Sequence, residues 1–78
     1  MKEKFLKQLR RYEASAAAAE ALDALLDYTL RSDVENRRVT CEMKLSGLVK
    51  KSVLFEIADG IKEAYELTEC RLFPKYNS

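Results

Sequence analysis

Residues 38–45, Arg-Val-Thr-Cys-Glu-Met-Lys-Leu, alternate without exception: Val39, Cys41, Met43 and Leu45 are apolar, and Arg38, Thr40, Glu42 and Lys44 are polar. Successive strand side chains point to opposite faces, so this period predicts a strand over 37–45 with one buried and one wet face. Such a strand needs partners in its sheet and an apolar layer to cover it. The preceding segment fits two readings. Leu22, Leu25, Leu26 and Leu30 match a helix, whereas Leu26, Tyr28 and Leu30 match a strand. The strand, over 26–31, is the better reading, because a helix there leaves 37–45 only the short segment near Cys70 to pair with. Ser32-Asp33-Val34-Glu35-Asn36 then serves as the hairpin connector, with Asp and Asn supplying turn chemistry.

Ser46-Gly47 ends the second strand, and residues 50–67 carry a helical stripe of Val53, Leu54, Ile57, Ala58, Ile61, Ala64 and Tyr65. Glu56, Asp59, Lys62, Glu63 and Glu66 take the opposite face. Gly60 interrupts this helix at about 1 kcal/mol relative to Ala, which points to close packing of helix on sheet. Glu69 to Phe73 alternate again and predict a third strand, with Pro74 barring further central pairing. Residues 2–13 predict a helix through Phe5, Leu6, Leu9 and Tyr12. The run Ala14–Ala24 either extends it or forms a second helix after a break near Ser15. The fold class is therefore α+β in the order α-β-β-α-β, a three-stranded sheet with helices on one face. Residues 1–78 read as a single domain, and the polar pair Asn77-Ser78 reads as a boundary in a loop of a longer chain.

A chain that is 47% hydrophobic and 35% charged is globular in composition, and at 78 residues its core is small. The net charge of +1 supplies no global drive toward nucleic acid or anionic lipid. The basic start runs into Phe5-Leu6-Lys7-Gln8-Leu9, which is not a secretory h-region, and no apolar run approaches a membrane span. Two cysteines do not make a disulfide scaffold. These features predict a cytoplasmic protein with reduced thiols, Cys41 and Cys70 both facing the core.

The side chains that commonly carry catalysis are sparse. There is no histidine, and with only Gly47 and Gly60 there is no phosphate-cradling glycine loop. Two thiols alone make no zinc site, and Glu56, Asp59 and Glu63 fall on a wet helix face beside Lys62. No catalytic residue, metal site or cofactor is expected. What remains is surface: residues 37–51 carry Arg37, Arg38, Lys44, Lys50 and Lys51 against Glu42 alone. Lys50 and Lys51 fall at a helix N-terminus, where the macrodipole also favours anions. These five bases are the candidate nucleic-acid or partner contact; alternatively they form a solubilising rim that guards an edge strand.

The strings R-R-V-T-C-E-M-K-L (37–45), L-V-K-K-S-V-L-F-E-I-A-D-G-I-K-E-A-Y-E-L (48–67) and C-R-L-F-P-K-Y (70–76) together resemble the N-terminal region of the PolC-type alpha chain of bacterial DNA polymerase III. The shared features are an alternating strand, a helix ending I-x-x-A-Y-x-L at Ile61–Leu67, and a short strand closing on Phe73-Pro74-Lys75-Tyr76. The resemblance implies an N-terminal accessory domain of a longer DNA-directed DNA polymerase whose catalytic aspartates and metals lie downstream. It also implies a truncated KH-like fold, similar to the C-terminal domain of the clamp-loader tau subunit. A nucleic-acid-binding KH domain clamps the backbone with a G-x-x-G loop. No glycine stands three residues after Gly47 or Gly60.

Two functions follow from the resemblance. One is a module docking the polymerase to another replisome protein, such as a clamp-loader subunit. The other is an auxiliary module touching DNA weakly through the basic rim; a free-standing adaptor of the same fold is a third. No membrane partner is expected. The missing glycine loop, the small net charge and an expected lack of exposed stacking aromatics favour docking.

Overall fold

The computed structural model describes residues 1–76; Asn77 and Ser78, where the sequence places a loop boundary, lie outside the described residues. The elements are α1 (Lys2–Gln8), α2 (Ala16–Leu22), β1 (Leu25–Asp33), β2 (Arg38–Leu45), α3 (Lys51–Ala64) and β3 (Glu69–Tyr76). The sheet order is β1-β2-β3, with β1 antiparallel and β3 parallel to β2. The alternating strand is thus the central one, and α3 is the crossover that a parallel pair requires. The strand reading of residues 26–31 holds, and pairing runs further, from Leu25 to Asp33.

The described residues form three helices, because the N-terminal helical region breaks. The Ser15 hydroxyl accepts a hydrogen bond from the Ala18 amide at 3.1 Å, capping α2, and donates to Glu56 Oε2 of α3 at 2.9 Å. An N-cap serine has extended backbone, so it cannot sit inside one continuous helix. The cap and its tether to α3 therefore decide between the two readings of Ala14–Ala24.

All three helices cover one face of the sheet. Phe5, Leu9, Tyr12, Ala18 and Leu22 meet Leu54, Ile57 and Ile61 of α3 over the inward row Cys41, Met43 and Leu45 of β2. Phe5 meets Tyr28 of β1 edge-on, ring centroids 5.2 Å apart, and the Tyr28 hydroxyl donates to Gln8 Oε1 at 2.6 Å. A bulge between Leu25 and Asp27 turns Leu26 outward and brings Tyr28 and Leu30 in phase with Met43 and Cys41. Leu26 is consequently exposed.

The first helix stops at Gln8, not 13, and four further features differ from the sequence expectation. The last helix stops at Ala64, not 67. Glu66 takes a left-handed φ of 51°, the Glu66 amide bonds the Glu63 carbonyl, and the Leu67 amide bonds the Lys62 carbonyl at 2.8 Å. That is a Schellman ending built without glycine. β3 runs on through Pro74 to Tyr76, because it is an edge strand and tolerates a residue with no amide hydrogen. Gly60 is approached by the ring of Tyr12 and not by the sheet. Cys41 is buried as expected, but Cys70, on edge strand β3, is only half-buried. Burial, with further contributions from Cys70 and Glu42, pushes the Cys41 thiol up to about 12; burial and Asp59 push Cys70 to about 11. Both are free thiols that stay protonated at neutral pH.

Candidate functional site

The opposite face of the sheet has no helix on it. Its three rows carry Asp27, Thr29, Arg31 and Asp33 from β1, then Arg38, Thr40, Glu42 and Lys44 from β2, then Glu69, Arg71, Phe73 and Lys75 from β3. Charges of both signs are interspersed, although Lys44 and Lys75 stand in register beside each other. Arg38 and Arg71 both approach Glu69, Arg38 at 3.7 Å, and Lys75 lies 4.0 Å from Glu42. A face in which acids answer bases holds no continuous positive track for a phosphate chain.

The five bases singled out in the sequence do not form one patch. Arg37 and Arg38 lie at the hairpin end of β2. Lys44 lies six residues along the strand, about 20 Å away. Lys50 and Lys51 lie toward the same end of the sheet as Lys44, but α3 packs on the helix-covered face and Lys44 belongs to the open one. Arg38 shares Glu69 and stands in register with Asp33, and Lys44 stands in register with Asp27. Asp33 itself is held below the usual carboxylate range, chiefly by hydrogen bonds from the Asn36 side chain and amide.

Arg37 owes its position to backbone geometry. It takes a left-handed φ of 51°, and its carbonyl accepts the Thr68 amide at 2.8 Å. The Thr68 hydroxyl lies 2.6 Å from the Asn36 carbonyl, to which it donates. The β1–β2 hairpin is thereby latched to the start of β3.

Lys50 is the N-cap of α3 and makes no side-chain cap bond, Lys51 is the first helical residue, and no acidic residue occupies the first turn. Two lysines at the positive end of a helix oppose its macrodipole. This is a local conflict of the kind that binding surfaces carry. Among the described residues neither lysine forms an ion pair.

Large aromatics are exposed, a feature the sequence reading did not bring out. Phe55 of α3 is 67% exposed, Phe73 of β3 45% and Tyr76 42%. They do not form a stacking row. Phe73 is the one aromatic of the open sheet face, beside Glu42 and Thr29 in register, whereas Tyr76 is in phase with the inward residues of β3. Phe55 and Phe73 instead border a groove between α3 and β3, with Lys51 and Arg71 also in its lining. The sequence signal for it was present: Phe55 falls outside the apolar stripe of its helix, an aromatic placed where a polar residue would serve.

Residues of the family-like strings have structural tasks. The Tyr65 hydroxyl accepts the Arg11 amide at 3.1 Å and its ring lies 5.8 Å from the Arg11 guanidinium, fixing the link between α1 and α2 to the end of α3. Leu67 closes the helix ending described above. Among the described residues no group of three or more His, Cys, Asp or Glu converges to hold a metal ion. No described helix is long and apolar enough to cross a membrane. Comparison with protein-family models, with curated proteins and with solved structures finds no match for this chain.

Proposed function

We propose that this chain is a non-catalytic N-terminal module of a bacterial replicative DNA polymerase of the PolC type, and that it docks another replisome protein such as a clamp-loader subunit. The replisome part of this reading rests on the resemblance of residues 37–76. The docking part is supported by one observation: the exposed Phe55 and Phe73 flank an apolar groove, while the bases of the open sheet face are dispersed among acids. Surfaces that recognise protein concentrate aromatic and apolar groups, with charge at the rim. Surfaces that hold nucleic acid concentrate cations along a track. The KH-like part of the reading rests on the resemblance alone, and the missing G-x-x-G loop argues against a KH mode of nucleic-acid binding.

A second reading, weak contact with DNA, is favoured by Lys50 and Lys51, which form no ion pair among the described residues. Fluorescence anisotropy with labelled oligo-dT at low and physiological salt, beside calorimetric titration with purified bacterial clamp-loader subunits, separates the two. The docking reading expects saturable binding to a clamp-loader subunit and no binding to oligo-dT at physiological salt. Tight DNA binding that collapses with salt, without subunit binding, supports the second reading and removes the first. A reading frame that stops after Ser78 would remove the polymerase assignment and leave a free-standing adaptor.

A further inference from the structure

The groove between α3 and β3 has a chemistry that specifies an occupant. Leu54 and Ala58 of α3 face Leu72 and Pro74 of β3 across it, and no residue of α1 or α2 enters its walls. Phe55 and Phe73 stand at its margins, each with much of its ring in water. Single exposed apolar residues are ordinary, but two aromatics bordering one apolar cleft mark a recognition surface.

The charges of the groove are one-sided. Among the described residues Lys51 and Arg71 complete the lining, and no carboxylate does. Lys50 stands beside Lys51 at the uncapped, acid-free N-terminus of α3. Glu56, the acid next to Phe55, is turned toward α2 by the Ser15 hydroxyl. Arg71 is shared with Glu69, and Asp59 lies further along α3, near Cys70. The end of the groove nearest Lys51 is therefore the more positive one.

β3 is an edge strand, but Pro74 lacks an amide hydrogen, and Arg71 and Lys75 are the usual guards of an edge. Strand addition along β3 would be interrupted at Pro74, so side chains entering the cleft must supply the affinity. Nucleic acid fits less well, since only two cations line the cleft and one already has an acidic partner.

We infer that the α3–β3 groove binds a protein segment bearing large apolar side chains flanked by carboxylates, the apolar groups entering between Phe55 and Phe73 and the acids meeting Lys51 and Lys50. This inference rests on the docking reading and gives it a surface and a partner chemistry.

The test is selection from a random-peptide phage library against the intact chain. Selected peptides are then titrated into the 15N-labelled protein. Enriched peptides should combine Asp or Glu with Leu, Ile, Phe or Trp and shift the amides of Phe55, Ala58, Leu72 and Phe73. Phe55→Asp and Lys51→Glu should each weaken binding by about tenfold or more, as central anchors and buried charge partners do. Arg37→Ala, at the far end of the sheet, should leave it unchanged. Lys51→Glu should recover affinity for a peptide whose acids are replaced by lysine, which separates charge recognition from a folding defect. The inference is overturned if no peptide is enriched, if selected peptides bind Phe55→Asp as tightly as the parent, or if they are basic. It is equally overturned if oligo-dT shifts the same amides more strongly, or if sedimentation shows the groove filled by a second copy of the chain. A clamp-loader subunit that binds Phe55→Asp as well as the parent leaves the replisome reading standing and removes the groove. Peptides that bind the groove of a chain no clamp-loader subunit recognises do the reverse.

Discussion

The ring of Tyr12 lies so close to Gly60 that a Cβ added at residue 60 would fall 2.5 Å from its Cε1 atom. Tyr12 lies in the link between α1 and α2, Gly60 is in the middle of α3, and the contact lets the N-terminal segment settle onto the long helix. Tyr12 is buried, so its ring cannot swing freely aside.

Gly60→Ala should therefore destabilise the fold. Helix propensity favours alanine by about 1 kcal/mol, but overpacking a filled site costs about 1–3 kcal/mol, so a net loss of about 1 kcal/mol is expected. In a Tyr12→Ala background the obstacle is gone, and the same substitution should stabilise by about 1 kcal/mol. Urea unfolding of the four proteins in this cycle measures the reversal; a stabilising Gly60→Ala in the parent would refute the contact.

Glu66 and Arg37 occupy left-handed backbone positions that suit glycine, each with φ 51°. Their structural tasks are carried by backbone groups, which glycine retains. Glu66→Gly and Arg37→Gly should each raise stability by about 0.5–1 kcal/mol, the relief of an L side chain in that region less the added freedom of the unfolded chain. Thermal unfolding reads this directly, and a loss for either variant would show that its side chain has a task in the fold.

The chain has no histidine. Its resolved shifts predict where stability changes with pH. The two cysteines and Tyr12 and Tyr28 all have raised values, burial being the first cause in each. A raised folded value means the folded state holds its proton more tightly. That contribution is complete below the unfolded value, 9.0 for a thiol, and is lost as pH rises toward about 11 and 12 for Cys70 and Cys41. Asp33, lowered from 3.8, adds a small term in the other direction, present above that value and lost as pH falls through its folded one. The melting temperature should hold a plateau through neutral pH and decline above pH 9. A step centred between pH 6 and 8 would contradict the assignment.

Thiol labelling should distinguish the two cysteines. Cys41 is 1% exposed on the central strand, whereas Cys70 is half-buried on the edge. A maleimide added to the native protein should modify Cys70 first, and both more slowly than in urea, because both thiols are held protonated. Faster labelling of Cys41 would mean that the sheet opens more readily than its pairing implies.

The alternation of residues 38–45 and the stripe of α3 made the central strand and the long helix legible, because each buries one side of a regular element. The pairing of residues 25–33 was legible only by asking what the central strand needs beside it. The break near Ser15 was one of two open readings, and Ser15 reaching Glu56, 41 residues away, helps decide it. Two features left no local trace. The end of α3 uses Glu66 where a glycine would have announced it. The five bases between Arg37 and Lys51 are neighbours in sequence, but β2 and its following loop carry them to opposite ends of the sheet. The groove was missed for a related reason: Phe55 and Phe73 are 18 residues apart and border the same cleft only through the packing of α3 beside β3.

The central claim is that this surface docks protein and not nucleic acid. Its most direct test is a pair of titrations of the 15N-labelled chain, one with a purified clamp-loader subunit and one with oligo-dT, at physiological salt. The account predicts that the subunit perturbs Phe55, Ala58 and Phe73 while oligo-dT leaves the spectrum unchanged. Perturbation of Lys44, Lys50 and Lys51 by oligo-dT, with no response to the subunit, would contradict it.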